Sequence, residues 1–192
     1  MRLAINLAII FALGLLIGGL SARFAILNSI GVGSINTGTW SASPLLGNEE
    51  VDPYTAARAT MNGSIALGSA EGLAFETTKD DQGDSLSRSC HYLLSGSTPA
   101  ARFWTLATYD LKGNVIKNSE GKASAAYSGG LVWEPDFSMK ITVSDQPSSG
   151  NWLYVEGGGN FKLILRLYDT PIASSSGLTD PELPSVKRLR CG

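Results

Sequence analysis

The chain has 192 residues, with 15 Lys and Arg against 17 Asp and Glu, one histidine and two cysteines. Charged residues are only 17% and glycines number 22, a composition that suits strands and tight turns better than long surface helices. The basic, aromatic surface of a nucleic-acid binder is missing, so no nucleic-acid partner is expected.

Residues Leu3 to Leu20 form an apolar run interrupted by one polar side chain, Asn6. As a helix it is about 27 Å long, against a bilayer core of about 30 Å. Residues 1–30 are therefore expected to be an N-terminal transmembrane anchor. A cleaved secretory signal is the competing reading. Such a signal has an apolar stretch of about 7–15 residues ending at a small-x-small site. The nearest candidate here, Leu20-Ser21-Ala22, has Leu where a small residue is needed. Either way, the remainder is exported.

Beyond the run, residues 31–39 are rich in Gly, Ser, Asn and Thr and read as a flexible tether. The domain then occupies residues 40–192. Its first element is a short helix from Pro53 to Met61: Asp52 is a good N-cap, Pro53 fits the first helical position and Gly63 supplies a stop. After Gly63 the hydrophobic period becomes two. Phe137, Met139, Ile141 and Val143 form one apolar face, and Phe161, Leu163, Leu165 and Leu167 another, with Lys162, Ile164, Arg166 and Tyr168 opposite. Ala101 to Tyr109 is apolar on both faces, as in a central strand. Leu73 to Thr77 and Cys90 to Leu94 add two strands more. Turn residues separate them at Asp81-Gln82-Gly83, Lys112-Gly113-Asn114 and Gly157 to Asn160. The tail from Ala173 is Ser and Pro rich and then basic, and is expected to be an irregular C-terminal strap. The fold class is all-β: an antiparallel sandwich or jelly roll of about seven to nine strands with one short helix.

Cys90 and Cys191 both lie on the exported side, where two lone cysteines pair as a disulfide. Closing so long a loop is worth up to about 4.7 kcal/mol. No metal site is expected, because His91 is the only histidine and two thiols with one imidazole make a poor zinc set. Asp80, Asp81 and Asp84 cluster oxygens, but their spacing is that of an acidic hairpin tip rather than a calcium loop. No cofactor is expected either. Gly157 to Gly159 is not followed by the helix and lysine of a phosphate loop.

No catalytic residues are assigned. There is no Gly-x-Ser-x-Gly elbow, and Gly68 to Gly72 has the wrong spacing. His91 as a general base is weighed against His91 as a satisfied strand residue. Glu71 and Asp110 could be paired for glycoside hydrolysis, but no spacing singles them out.

The candidate ligand residues are cationic and aromatic. Arg102 and Trp104 share one strand face, and Arg166 and Tyr168 share another. If that face is interior, each guanidinium needs a partner, because a lone buried charge is very costly. Glu71 and Asp110 are the candidate partners if the pairing is structural. The functional reading is an anion- or sugar-binding cleft with Trp104, Trp152 or Tyr168 as a stacking face. The basic tail, Lys187, Arg188 and Arg190, has two readings: contact with anionic lipid heads or wall polymer, or a solvated run.

The motif string resembles a bacterial family called domain of unknown function 1214, in its short membrane-anchored form. The matching elements are Gly38-Thr39-Trp40, Asp52-Pro53-Tyr54 with Ala57-Arg58, Leu67 to Phe75, Pro99 to Asp110, Gly150 to Leu153, and Leu165 to Pro171. The resemblance covers roughly Gly38 to Cys191. It implies a jelly-roll β-sandwich and a sister domain on the same chain or encoded by a neighbouring gene, and so a sister-domain partner protein. It brings no established activity. One departure is Tyr154, where Asn-Trp-Leu is usually followed by Pro, and this bears on the local loop. The expected placement is a single pass of the bacterial inner membrane through Leu3–Leu20, N-terminus cytoplasmic and domain periplasmic. The expected role is a non-catalytic binding or scaffold component of the envelope. The alternative is a hydrolase or lyase acting on envelope carbohydrate or lipid through an Arg/aromatic/carboxylate cleft.

Overall fold

The computed structural model of the protein describes residues 2–28, 34–61, 67–68, 71–118, 121, 124–173 and 181–192. Helix α1, Arg2–Asn28, has exposed apolar side chains from Leu3 to Phe24 and contains a stretch, Arg2–Ile26, long and apolar enough to cross a membrane. Helix α2, Pro53–Met61, begins as its N-terminal signals dictate. Asp52 Oδ1 accepts the backbone N–H groups of Tyr54 and Thr55, both at 3.0 Å. The expected stop at Gly63 lies outside the described residues.

The described residues form ten strands, two of them before α2: β1 Ile35–Thr37, β2 Trp40–Ala42, β3 Gly72–Thr77, β4 Cys90–Gly96, β5 Phe103–Asp110, β6 Ala125–Tyr127, β7 Met139–Ser144, β8 Asn151–Tyr154, β9 Phe161–Tyr168 and β10 Ser185–Cys191. They form a six-stranded sheet, β1-β2-β3-β9-β5-β6, and a four-stranded sheet, β10-β4-β7-β8. The inner faces meet in one core that includes Phe75, Tyr92, Trp104, Ile141, Leu153, Phe161 and Leu165. Hydrogen bonds also link the six-stranded sheet to the second layer, one of them at the approach to β10. Trp40 Nε1 donates to the Pro184 carbonyl at 2.8 Å, and Thr108 Oγ1 donates to the Tyr154 carbonyl at 3.2 Å.

Four expectations change. The described part of the tether, from Ser34, enters the hairpin β1–β2, because Ile35 and Trp40 have apolar surface to bury on the six-stranded sheet. The end of the C-terminal strap is an edge strand: β10 pairs with β4 through a ladder with one register shift, and Cys191 stands directly opposite Cys90 in a disulfide. Pairing is not wholly antiparallel, since residues 145–150 carry the chain back so that β8 runs parallel to β7. Finally, Phe137 lies outside β7. It sits in a turn at φ 62, 85% exposed, with its N–H donating to the Glu134 carbonyl.

One close approach governs the start of β3. Gly72 has φ 155, and a Cβ there would stand 2.0 Å from the Leu167 carbonyl oxygen. Only glycine lets β3 lie against β9 at this point.

Candidate functional site

The side chains that could meet a ligand stand on the outer face of the six-stranded sheet. Strand alternation sends Phe161, Leu163, Leu165 and Leu167 inward, so Lys162, Ile164, Arg166 and Tyr168 point outward. The β5–β9 register sets Phe103 opposite Tyr168 and Tyr109 opposite Lys162, and β6 adds Tyr127 opposite Thr105. A row of aromatic rings results. Phe103 lies 5.9 Å from Tyr168 and 6.1 Å from Tyr127 between ring centroids, and Phe103 and Tyr127 are exposed.

Next to this row, Leu67, Glu71, Arg102, Phe103, Tyr168 and Asp169 line a shallow depression. Three of the candidate residues, Glu71, Arg102 and Tyr168, are thus brought together. Arg102 is 83% exposed, and its nearest carboxylate is Asp169 at 3.9 Å, not Glu71 or Asp110. The regular pleat has ended there: Asp169 has φ 51, and the Arg102 N–H donates to the Tyr168 carbonyl. Arg102 therefore escapes the face that Trp104 occupies. Glu71 instead accepts the Gly68 N–H at 3.2 Å.

Arg166 stands one outward position along β9, in an adjoining cleft of about 240 Å³. Its Nη1 donates to Tyr109 Oη at 2.7 Å, and its Cζ lies 5.1 Å from that ring's centroid. At the far end of the cleft Lys162 Nζ, 4% exposed, meets Glu76 Oε2 at 3.3 Å.

The other two candidates are elsewhere. Trp104 is 3% exposed on the inner face, edge-on to Trp133 at 6.1 Å. Trp152 belongs to the four-stranded sheet, where its Nε1 donates to the carbonyl and hydroxyl oxygens of Ser144. It fixes the return from β7 to β8 rather than offering a stacking surface. The sequence reading overlooked Phe103, Tyr127, Tyr109, Lys162 and Glu76. Period two alone would have put Phe103 and Tyr109 on one face, but their adjacency to Tyr168 and Lys162 depends on register.

Carboxylate pairing for glycoside hydrolysis fails on distance. Glu71 precedes Gly72, which pairs with Tyr168, whereas Asp110 pairs with Phe161 at the other end of β9. Seven strand steps separate those positions by roughly 23 Å, against at most about 9.5 Å for such a pair. The Asp110 carboxyl has a local role: partial desolvation pushes it up, but hydrogen bonds from the Asn114 side chain and backbone and the Lys112 backbone, with the Arg88 charge, hold it below the usual carboxylate range.

The remaining polar clusters are paired within the protein. His91 Nε2 donates to Asp145 Oδ1 at 2.9 Å while Nδ1 accepts from Arg190 Nε at 3.3 Å, so both ring nitrogens are engaged. Asp80 is fully buried, and its Oδ2 lies 2.7 Å from Arg188 Nη2, with Asp84 Oδ2 at 3.2 Å from Nη1. Of the basic tail, Arg188 and Arg190 are thus committed within the protein. No group of three metal-ligating side chains occurs among the described residues.

The architecture has a counterpart among solved structures. The VPA0106 protein from Vibrio parahaemolyticus aligns at 20% identity with a TM-score of 0.57, over 71% of this chain and 35% of that one. An uncharacterized protein from Burkholderia cenocepacia aligns at 19% identity and a TM-score of 0.39, over 72% of this chain and 43% of that one. This chain therefore spans less than half the length of either. No curated protein matches it. The family model for a protein of unknown function, DUF1214, matches residues 71–172, more than half of the chain; the chain belongs to the DUF1214 family.

Proposed function

We propose that this protein is a binding or scaffold component of the bacterial envelope, held in the inner membrane by α1 with its sandwich on the periplasmic side, and without catalysis of its own. The aromatic row Tyr168–Phe103–Tyr127, exposed at Phe103 and Tyr127, carries this reading. Aromatic side chains left in water, with charged groups at the rim, are what protein-binding surfaces offer. The Cys90–Cys191 disulfide supports an oxidising compartment. Attachment is supported by α2 packing on the end of α1, where Arg58 Nε donates to the Ile26 carbonyl at 2.9 Å. A cation at a helix C-terminus is favourable. The partner we propose is an envelope protein carrying the sister domain that accompanies this family.

Crosslinking in intact cells followed by co-purification of the full-length protein tests the reading. Wild type and Arg102→Ala are expected to retain one stoichiometric envelope protein, because Arg102 sits at the exposed rim. A double variant, Phe103→Ser with Tyr127→Ser, is expected to lose it while keeping its melting temperature within a few degrees. Absence of any protein partner in wild type, or full retention by the double variant, overturns it. The cleft beside Arg166 favours a second reading, a hydrolase or lyase on envelope carbohydrate or lipid. A co-purified glycan or lipid that is turned over on incubation would establish that one.

A further inference from the structure

We propose that the cleft over β3, β9 and β5 is a binding site for a small organic monoanion, a carboxylate with a short apolar body, and that Arg166 is its anchor. This goes beyond the aromatic row, since it assigns a different occupant to a different part of the outer face.

The argument begins with charge. Two cations serve the cleft, and only one is neutralised: Lys162 is paired with Glu76. Arg166 is half-buried, and the group it contacts, Tyr109, is a neutral phenol. No carboxylate lies within 4.0 Å of it among the described residues. A guanidinium has five N–H donors. One is spent on Tyr109 Oη, which leaves the others to grip a carboxylate in the two-pronged geometry that arginine favours. Partial burial strengthens that attraction relative to open water.

Space comes next. Register places Ala74 on β3 and Thr105 on β5 on either side of Arg166, so no large side chain stands over the guanidinium from its paired neighbours. Ser41 and Gly113, which also line the cavity, add no bulky side chain to it. Its volume, about 240 Å³, lies below the roughly 300–1,000 Å³ of drug-sized sites. Room for about eight water-sized groups fits a short alkanoate or a single aromatic acid. Leu46, Leu67, Val115 and Ile164 supply the apolar part of the lining, beside Ser41, Ser43 and the Lys162–Glu76 pair, which suits an apolar body beyond the carboxylate.

The test uses the full-length protein in lipid nanodiscs and isothermal titration with benzoate and hexanoate. Benzyl alcohol and hexanol are the uncharged counterparts, and any partition into the disc is common to wild type and variants and cancels. At least one acid is expected to bind wild type at least about tenfold more tightly than its alcohol. Arg166→Gln is expected to weaken it by about tenfold or more, and Arg166→Lys by less. Ala74→Met, which fills the space opposite an intact Arg166, is expected to abolish binding and keeps the test open should Arg166→Gln fold poorly. The proposal is overturned if neither acid binds at about 10 mM, if acid and alcohol bind alike, or if both cleft variants bind as wild type does. Because the aromatic row is untouched in these variants, retained partner co-purification separates this site from the proposed scaffold surface.

Discussion

At the scale of single residues, Asp80 shows how a charge can be held out of water. It has no solvent exposure, yet its Oδ1 accepts the N–H groups of Gln82 and Asp84 at 3.1 and 3.0 Å and its Oδ2 faces Arg188. The neighbouring Asp81 exchanges two hydrogen bonds with Val186, one through its backbone N–H and one through its carboxylate. Three aspartates that read in sequence as an acidic hairpin tip thus fasten the turn before β4 to the last strand. Truncating Asp80 leaves Arg188 facing a buried gap and two backbone donors unmet. Asp80→Ala is expected to cost about 3 kcal/mol and to lower the Tm by roughly 6–12 °C, read by circular dichroism melts. A change under about 1 kcal/mol would mean that water replaces the carboxylate.

At the scale of elements, β10 depends on partners distant in the chain. Its ladder to β4 is interrupted by a register shift between Arg188 and Arg190, and the disulfide closes its far end. Replacing both cysteines by serine is expected to cost about 2–4 kcal/mol. Hydrogen exchange should then rise first in β10 and the facing residues of β4, leaving β3, β9 and β5 protected; uniform loss of protection would count against β10 as the weak edge. The same strand explains what the sequence could not reveal. Val186 is its only fully buried side chain, and Lys187, Arg188 and Arg190 leave no alternation to read. Strands β1 and β2 are three residues each, too short for a period, and exist because β3 offers them an edge. By contrast, β9 and α2 were legible, one from alternating leucines and the other from Asp52, Pro53 and the alanines. Of the candidate residues, parity correctly put Arg166 and Tyr168 on one face. It could not tell that Trp104 faces inward while Arg102 slips past the rim, because that turns on Asp169 and the pairing of β5 with β9.

At the scale of the molecule, acid should loosen turns before it dissolves the core. The Asp110 carboxyl is held low as described, and Ser138, through its side chain and then its backbone, does the same for Asp136. Groups depressed in the folded state stabilise it above their unfolded value, 3.8 here, and lose that contribution as pH falls through the folded value. The urea midpoint is therefore expected to hold from neutrality to about pH 4 and fall below it. In Asp110→Asn the midpoint should start lower at neutral pH and fall less steeply; an unchanged acid limb would exclude this turn as a source. The strand edges matter in a different way. Copies held by α1 in one membrane would share a thin layer in which they collide far more often than in free solution. Edge pairing between them is the standing hazard of a sheet protein. Here β1 and β6 have three residues and β8 four, while β10 is longer but bulged and carries Lys187, Arg188 and Arg190. Crowded side by side, such sandwiches offer each other only edges that, among the described residues, are short or are bulged and cationic.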